Sequence, residues 1–213
     1  MNGFIEKDRY DIRDLLDIMC VLRSPGGCPW DIEQTHATIR NNMLEEAYEA
    51  VEAIDLDNSD MLCEELGDVL LQVVFHCRMS AERGEFDFDA VCDGICKKLI
   101  RRHPHIFGTV KADTAQQVLD NWAAIKKVEK GNDGVADVMD SVAKSLPALM
   151  RAQKIAKTAR KAGLEEKITD TDGARERIGE LLWQAVRLSD AAGLDAEELL
   201  TAYVNGYVDG CRK

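Results

Sequence analysis

Apolar residues recur every three or four positions along most of this chain. Ile12, Leu15, Leu16, Met19 and Leu22 mark a first helix over about residues 8–23. Pro25, Gly26, Gly27 and Pro29 then break it. A second helical run extends from about His36 to Leu56, with Thr35 as its expected N-cap. The polar stretch DLDNSD turns the chain. A third helix is expected from about Asp60 to Arg83, stopping at Gly84. Its middle, Val69 to Phe75, is apolar nearly all round, which predicts a buried helix. Asp87 caps a fourth helix, which ends near His103 because Pro104 cannot continue it. Thr114 with Gln117 makes a capping box for a fifth, to about Lys130.

The GNDG stretch at residues 131–134 reads as a linker. Beyond it, Ser145 and Pro147 open a sixth helix to about Ala162. Two more follow over about 172–191 and 196–211, the second capped by Asp195 with Glu198. No segment alternates as a strand would. The expected fold is all-α. A helical bundle fills residues 1–130, a linker spans 131–144, and a smaller helical segment spans 145–213.

Composition narrows the function classes. The chain has 213 residues, 46% hydrophobic and 31% charged, as a globular protein does. Its formal net charge of −12 argues against a binder of polymeric nucleic acid, which needs a basic surface. A nucleotide held through a metal ion remains compatible. The seven cysteines are odd in number, form no CxxC pair and follow no basic-then-apolar leader. Reduced thiols in the cytoplasm are the expectation. No apolar run reaches the ~20 residues of a membrane span.

Candidate chemistry lies on the second and third helices. Glu46 and Glu49, three apart, share one helix face, and Glu65 and Asp68 share another. The short turn makes the two helices antiparallel neighbours, so four carboxylates can converge between them. In a chain with 39 acidic residues, a lone glutamate pair is as readily a solvated face. Glu65 and Asp68 differ, because they fall on the Val69, Gln72 and Phe75 side of an apolar helix. No lysine or arginine stands at matching spacing. A cation is the natural partner of such acids, and an all-oxygen ligand set suits Mg²⁺ or Mn²⁺ rather than Zn²⁺. Glu45, beside the first pair, is a candidate to orient or deprotonate an attacking water. A thiol site using Cys63, Cys77 and His76 lacks the spacing of a tetrahedral set.

The fourth helix ends on a basic cluster: Lys97, Lys98, Arg101, Arg102 and His103. Cations at a helix C-terminus are favoured by the helix dipole whatever their function. The functional reading is that Lys98, Arg101 and Arg102 bind a polyphosphate. On the fifth helix, Trp122 and Lys126 are four apart. A core tryptophan and a base-stacking one are both consistent with that position.

Taken in order, CPWDIEQTH, LEEAYEAVEAID, EELGDVLLQVVFH, KLIRRHPHIFG and NWAAIKK resemble the MazG nucleoside triphosphate pyrophosphohydrolases over about residues 10–130. The family pairs an EExxE with a downstream ExxD, and here fifteen residues separate Glu49 from Glu65. The resemblance implies a dimeric all-α fold of the dUTPase-like type. It implies hydrolysis of nucleoside triphosphates between the α- and β-phosphates, giving a monophosphate and pyrophosphate. It implies Mg²⁺ ligation by Glu46, Glu49, Glu65 and Asp68. It adds weight to Lys98, Arg101 and Arg102 as phosphate contacts, and to Trp122 and Lys126 near the nucleotide. The CPWD and QTH segments, with Trp30 and His36, are family signatures without a role that spacing supplies.

Many relatives carry a second copy of the module. Here RIGELLWQAVRLSDAAGLDAEELL is similar to the helix bearing the second motif, with Glu180 after Gly179 in place of the aspartate. Glu165 and Glu166 are followed by Lys167, Ile168 and Thr169, so no EExxE forms. Residues 145–213 are therefore expected to be a degenerate or truncated repeat without its own metal site, used for packing or dimerisation. Two alternatives remain at this point. One is a related pyrophosphatase of narrower substrate, such as phosphoribosyl-ATP or a single-base dNTP. The other is a non-catalytic helical interaction protein.

Overall fold

The computed structural model describes residues 6–129, 134–164 and 171–212, without the side chains of residues 123 and 126–128. All its regular structure is helical. The chain divides into two compact units, residues 1–118 and 119–213. No described helix is long and apolar enough to cross a membrane.

In the first unit, α1 (Ile12–Arg23) starts later than its apolar pattern predicts. Asp11 supplies the cap, accepting from the amides of Arg13 and Asp14, while the Asp14 carboxylate accepts from the Asp11 amide. That reciprocal pair fixes the start, and residues 8–10 remain outside. The short helix α2 (Pro29–Glu33) follows, within a segment that reads as a plain breaker in sequence. The expected Thr35 N-cap is not one. Thr35 sits in a turn with Thr38, whose amide donates to its carbonyl at 3.1 Å. Consequently α3 (Arg40–Asp55) begins four residues later than predicted, with no side-chain cap.

A tight turn joins α3 to α4 (Ser59–Glu82). Asp57 adopts φ 51°, a left-handed conformation that aspartate tolerates, and the Asn58 amide returns to the Ala53 carbonyl at 3.0 Å. The Asn58 side chain then caps α4 by accepting from the Met61 amide at 3.1 Å. The turn makes α3 and α4 an antiparallel hairpin, packed along its length by Ala50 and Ala53. Gly84, at φ +69°, closes α4 as its sequence position predicts. Asp87 caps α5 (Phe88–Arg102), and Pro104 opens the single turn α6 (Pro104–Phe107).

The core of this unit is Met19, Ile39, Val74, Phe75 and Met79, flanked by Ile12, Leu15, Leu16, Leu71 and Phe88. It lies where α1 crosses the second half of α4. The expectation of a wholly buried α4 is thus corrected: its buried residues run from Gln72 to Ser80, whereas Leu66 and Leu70 remain exposed. Its first half lies beside α3, where Glu65 meets Glu46 and Glu49, and leaves Leu66 and Leu70 uncovered among the described residues.

The helix α7 (Ala115–Glu129) has the capping box read from sequence. Thr114 Oγ1 accepts from the Gln117 amide, and Gln117 Oε1 accepts from the Thr114 amide, both at 3.3 Å. It runs across the division between the units. In the second unit, α8 (Val135–Asp140) forms inside the expected linker, of which residues 131–133 lie outside the described residues. With α9 (Ala148–Lys161) and α11 (Ala196–Gly210) it surrounds Met139, Ile155, Ala159, Val204 and Val208. The helix α10 (Ala174–Ala191) packs chiefly on α11 among the described elements and leaves Ile178, Leu181, Trp183 and Leu188 exposed.

Arg151 of α9 is 1% exposed, and none of its guanidinium nitrogens finds a hydrogen-bond partner among the described residues. A buried cation without a partner among the described residues is destabilising. Arg151→Met is expected to raise the unfolding free energy by about 1–4 kcal/mol in urea titrations. An unchanged or lowered midpoint would contradict this.

Candidate metal centre

The α3–α4 hairpin brings three carboxylates together. One oxygen each from Glu46, Glu49 and Glu65 lies within 4.8 Å of the others, and among the described residues no other group of His, Cys, Asp or Glu meets that geometry. Glu46 and Glu65 are half-buried, and Glu49 is exposed. Asp68, also half-buried, stands outside this trio, but its charge acts on both Glu46 and Glu65.

Electrostatics at the site are uniformly unfavourable to more negative charge. Burial pushes the Glu46 carboxyl above the ordinary glutamate range. The charge of Asp68, a hydrogen bond with Glu49 and the charges of Glu49 and Glu65 raise it further. Burial likewise raises Glu65, followed by the charges of Glu49, Glu64, Asp68 and Glu52. Carboxylates held so close would be stabilised by a hard cation taking up their oxygens. The residues present therefore fit a divalent cation, with no competing lysine or arginine among the causes of either shift.

Glu52 is an addition that sequence reasoning missed. It lies three residues beyond Glu49, and that spacing was the available signal. Glu45 is exposed on α3, one turn before Glu49. On α5, Lys98 and Arg101 are exposed and Arg102 is half-buried in the last turn. They share a helix end, on a different helix from the trio. Trp122 is half-buried on the part of α7 that belongs to the second unit, and the Lys126 side chain lies outside the described residues.

The QTH segment acquires a structural role. His36 and His76 stack with centroids 5.0 Å apart, and their Nδ1 atoms are 2.6 Å apart, so one ring donates to the other. Ser80 Oγ lies 3.3 Å from His36 Nε2. Arg23 hydrogen-bonds the Asp31 carbonyl, the Gln34 carbonyl at 3.3 Å and the Glu82 carboxylate at 2.8 Å. Trp30 packs on Phe75 with centroids 6.5 Å apart. Together these contacts strap residues 30–36 across α1 and α4. No local pattern could have revealed them, since the histidines are 40 positions apart.

Residues 34–107, which carry the whole α3–α4 hairpin, match the family model described as the MazG nucleotide pyrophosphohydrolase domain. The chain is 44% identical over 197 residues to the nucleoside triphosphate pyrophosphohydrolase of Escherichia coli (strain K12), covering 90% of this chain and 75% of that protein. The chain belongs to the MazG family. A Thermotoga maritima relative, nucleoside triphosphate pyrophosphohydrolase/pyrophosphatase MazG, is 42% identical over 194 residues, or 90% of this chain and 73% of that protein. The nucleoside triphosphate pyrophosphohydrolase of Mycobacterium tuberculosis is 36% identical over 201 residues, or 93% of this chain and 56% of that protein. The MazG match includes both acidic motifs and ends at Phe107, before Trp122 and Lys126.

The raised carboxyls carry a pH consequence for this MazG protein without metal. A carboxyl whose folded pKa exceeds its unfolded one binds extra protons in the native state, so stability falls as pH climbs between the two values. Glu46→Gln removes that penalty. In chelator, the variant is expected to melt above the wild type at pH 7, with the difference vanishing below the ordinary glutamate pKa of about 4.3. A pH-independent difference in melting temperature would contradict the electrostatic origin.

Proposed function

We propose that this MazG protein is a Mg²⁺-dependent hydrolase of nucleoside triphosphates, releasing pyrophosphate and a nucleoside monophosphate by cleavage between the α- and β-phosphates. The single observation that carries the reading is the carboxylate trio of Glu46, Glu49 and Glu65, set in the family's motif region. Glu46, Glu49, Glu65 and Asp68 hold Mg²⁺, with Mn²⁺ as a substitute. Held there, the ion would supply charge neutralisation for the polyphosphate and would make a water easier to deprotonate. Glu45 takes the proton of the attacking water, from a solvent-facing position one turn from Glu49. Lys98, Arg101 and Arg102 neutralise the phosphates, and Trp122 and Lys126 contribute to holding the nucleotide.

The working form is a homodimer in the cytoplasm. Leu44, Tyr48 and Val51 on α3, Leu66 and Leu70 on α4, and Val91, Ile95 and Leu99 on α5 are all exposed at helical spacing. Apolar exposure on that scale is uncommon in a monomer and marks a protein interface. Residues 1–130 form the catalytic module. Residues 145–213 act in packing as a degenerate copy, where Glu180 is exposed and accepts a hydrogen bond from Gln184 at 3.0 Å.

The test is a panel of canonical and modified nucleoside triphosphates incubated with Mg²⁺. Pyrophosphate is the expected first product. Orthophosphate as the first product would sink the α–β cleavage.

A further inference from the structure

The α3–α4 hairpin does not end its polar ladder at the carboxylates. The close trio of Glu46, Glu49 and Glu65, with the short turn between Asp55 and Ser59, sets the antiparallel register of the two helices at the site. One turn further, the same register sets Asn42 of α3 across from Gln72 of α4. Asn42 precedes Glu46 by four residues, and Gln72 follows Asp68 by four, so each lies on the stripe that carries its acid. Asn42 is half-buried, between the exposed Asn41 and the buried Ile39 end of the hairpin. Gln72 is 6% exposed, and its Oε1 is buried with no hydrogen-bond partner among the described residues. Leucine or methionine would fill that position without leaving a polar atom unsatisfied. A buried orphan acceptor in a native protein calls for a group that visits it.

We propose that Gln72, with Asn42 opposite, is a specificity-determining pair that reads the nucleoside moiety of the substrate; the inference rests on the triphosphate hydrolase reading above. Carboxamides are neutral and offer both donors and an acceptor. They suit a nucleobase edge or a sugar hydroxyl and not a phosphate. Their place on the helix fits that chemistry. Four residues of helix advance about 6 Å along the axis, so Gln72 stands one turn from Asp68. A triphosphate gripped at the acids would extend its sugar and base over that distance.

The experiment compares kcat/KM of wild type, Gln72→Leu and Asn42→Ala on the four dNTPs, the four NTPs and methyl triphosphate, which has no nucleoside. Gln72→Leu is expected to change the ratio among substrates by about tenfold, the worth of one hydrogen bond in discrimination. A shift among bases identifies the base edge as what is read, and a shift between the NTP and dNTP series identifies the sugar. An equal fall on every substrate, methyl triphosphate included, would overturn the proposal in favour of a packing role. Unchanged ratios in both variants would also overturn it. Should Gln72→Leu fail to fold, the half-buried Asn42→Ala decides by the same ratios. A wild-type protein that turns over no triphosphate would sink the hydrolase reading instead. Calorimetric binding of α,β-methylene dNTPs to the wild type and variants, in Mg²⁺, would then decide the pair by the same selectivity criterion.

Discussion

Glu49→Ala and Asp68→Ala are each expected to lower pyrophosphate release on the order of a thousandfold or more, about 4 kcal/mol of transition-state stabilisation. The two positions test different parts of the centre. Glu49 belongs to the trio whose oxygens lie within 4.8 Å of one another, while Asp68 reaches the trio through its charge. Neither side chain belongs to the core around Met19 and Phe75, so circular dichroism should show the fold retained. Metal-free Glu49→Ala should melt no lower than the wild type, because it removes one of several mutually repelling acids. The wild type should gain stability from Mg²⁺, by about 2.7 kcal/mol at a concentration one hundred times Kd. The alanine variants should lose most of that gain. Full turnover in either variant would remove its residue from the metal site, and an intact Mg²⁺ response would do so independently of activity.

Ile95→Glu is expected to halve the sedimenting mass at micromolar concentration and to depress turnover with it. Ile95 lies mid-way along the exposed Val91, Ile95 and Leu99 stripe of α5. A stable interface buries roughly 1,200–2,000 Å² in total, more than scattered surface residues provide. Apolar stripes on three helices of one unit supply candidates for it. A glutamate at the centre of such a contact would be desolvated without a partner, which costs several kcal/mol. Position 95 lies three residues before Lys98, which the proposed function gives to phosphate, so the sedimenting mass and not turnover is the measure of assembly. Wild-type sedimentation of Ile95→Glu would exclude α5 from the interface.

Helix type and most helix ends were legible in the chain itself. Asp87, Thr114 with Gln117, and Asp195 each cap the helix that sequence assigned to them, because a cap is a contact between residues two or three apart. Thr35 misled for the same reason in reverse. A threonine before an apolar run has the composition of a cap, but its neighbour Thr38 engages it in a turn, and helix α3 waits until Arg40. The shared helix faces of the acids were legible too, although Asp68 stands outside the close trio of Glu46, Glu49 and Glu65. Helical periodicity places Glu46 with Glu49 and Glu65 with Asp68, and a short turn leaves an antiparallel hairpin as the natural packing.

What sequence alone determined about this MazG protein is therefore what local spacing controls: an all-α chain, its caps, and the faces on which its acids stand. The tertiary structure decided the rest. It selected Glu46, Glu49 and Glu65 as the close trio and set the charge of Glu52 to act on Glu65. It strapped His36 to His76 and Arg23 to Glu82 across distant parts of the chain. It also buried only the second half of α4, since an apolar sequence states a demand for cover and not which neighbour meets it. The physical reason is one of range. Periodicity and capping act within a few residues, whereas cover, charge repulsion and orphaned polar atoms such as Gln72 Oε1 exist only once separate helices stand side by side.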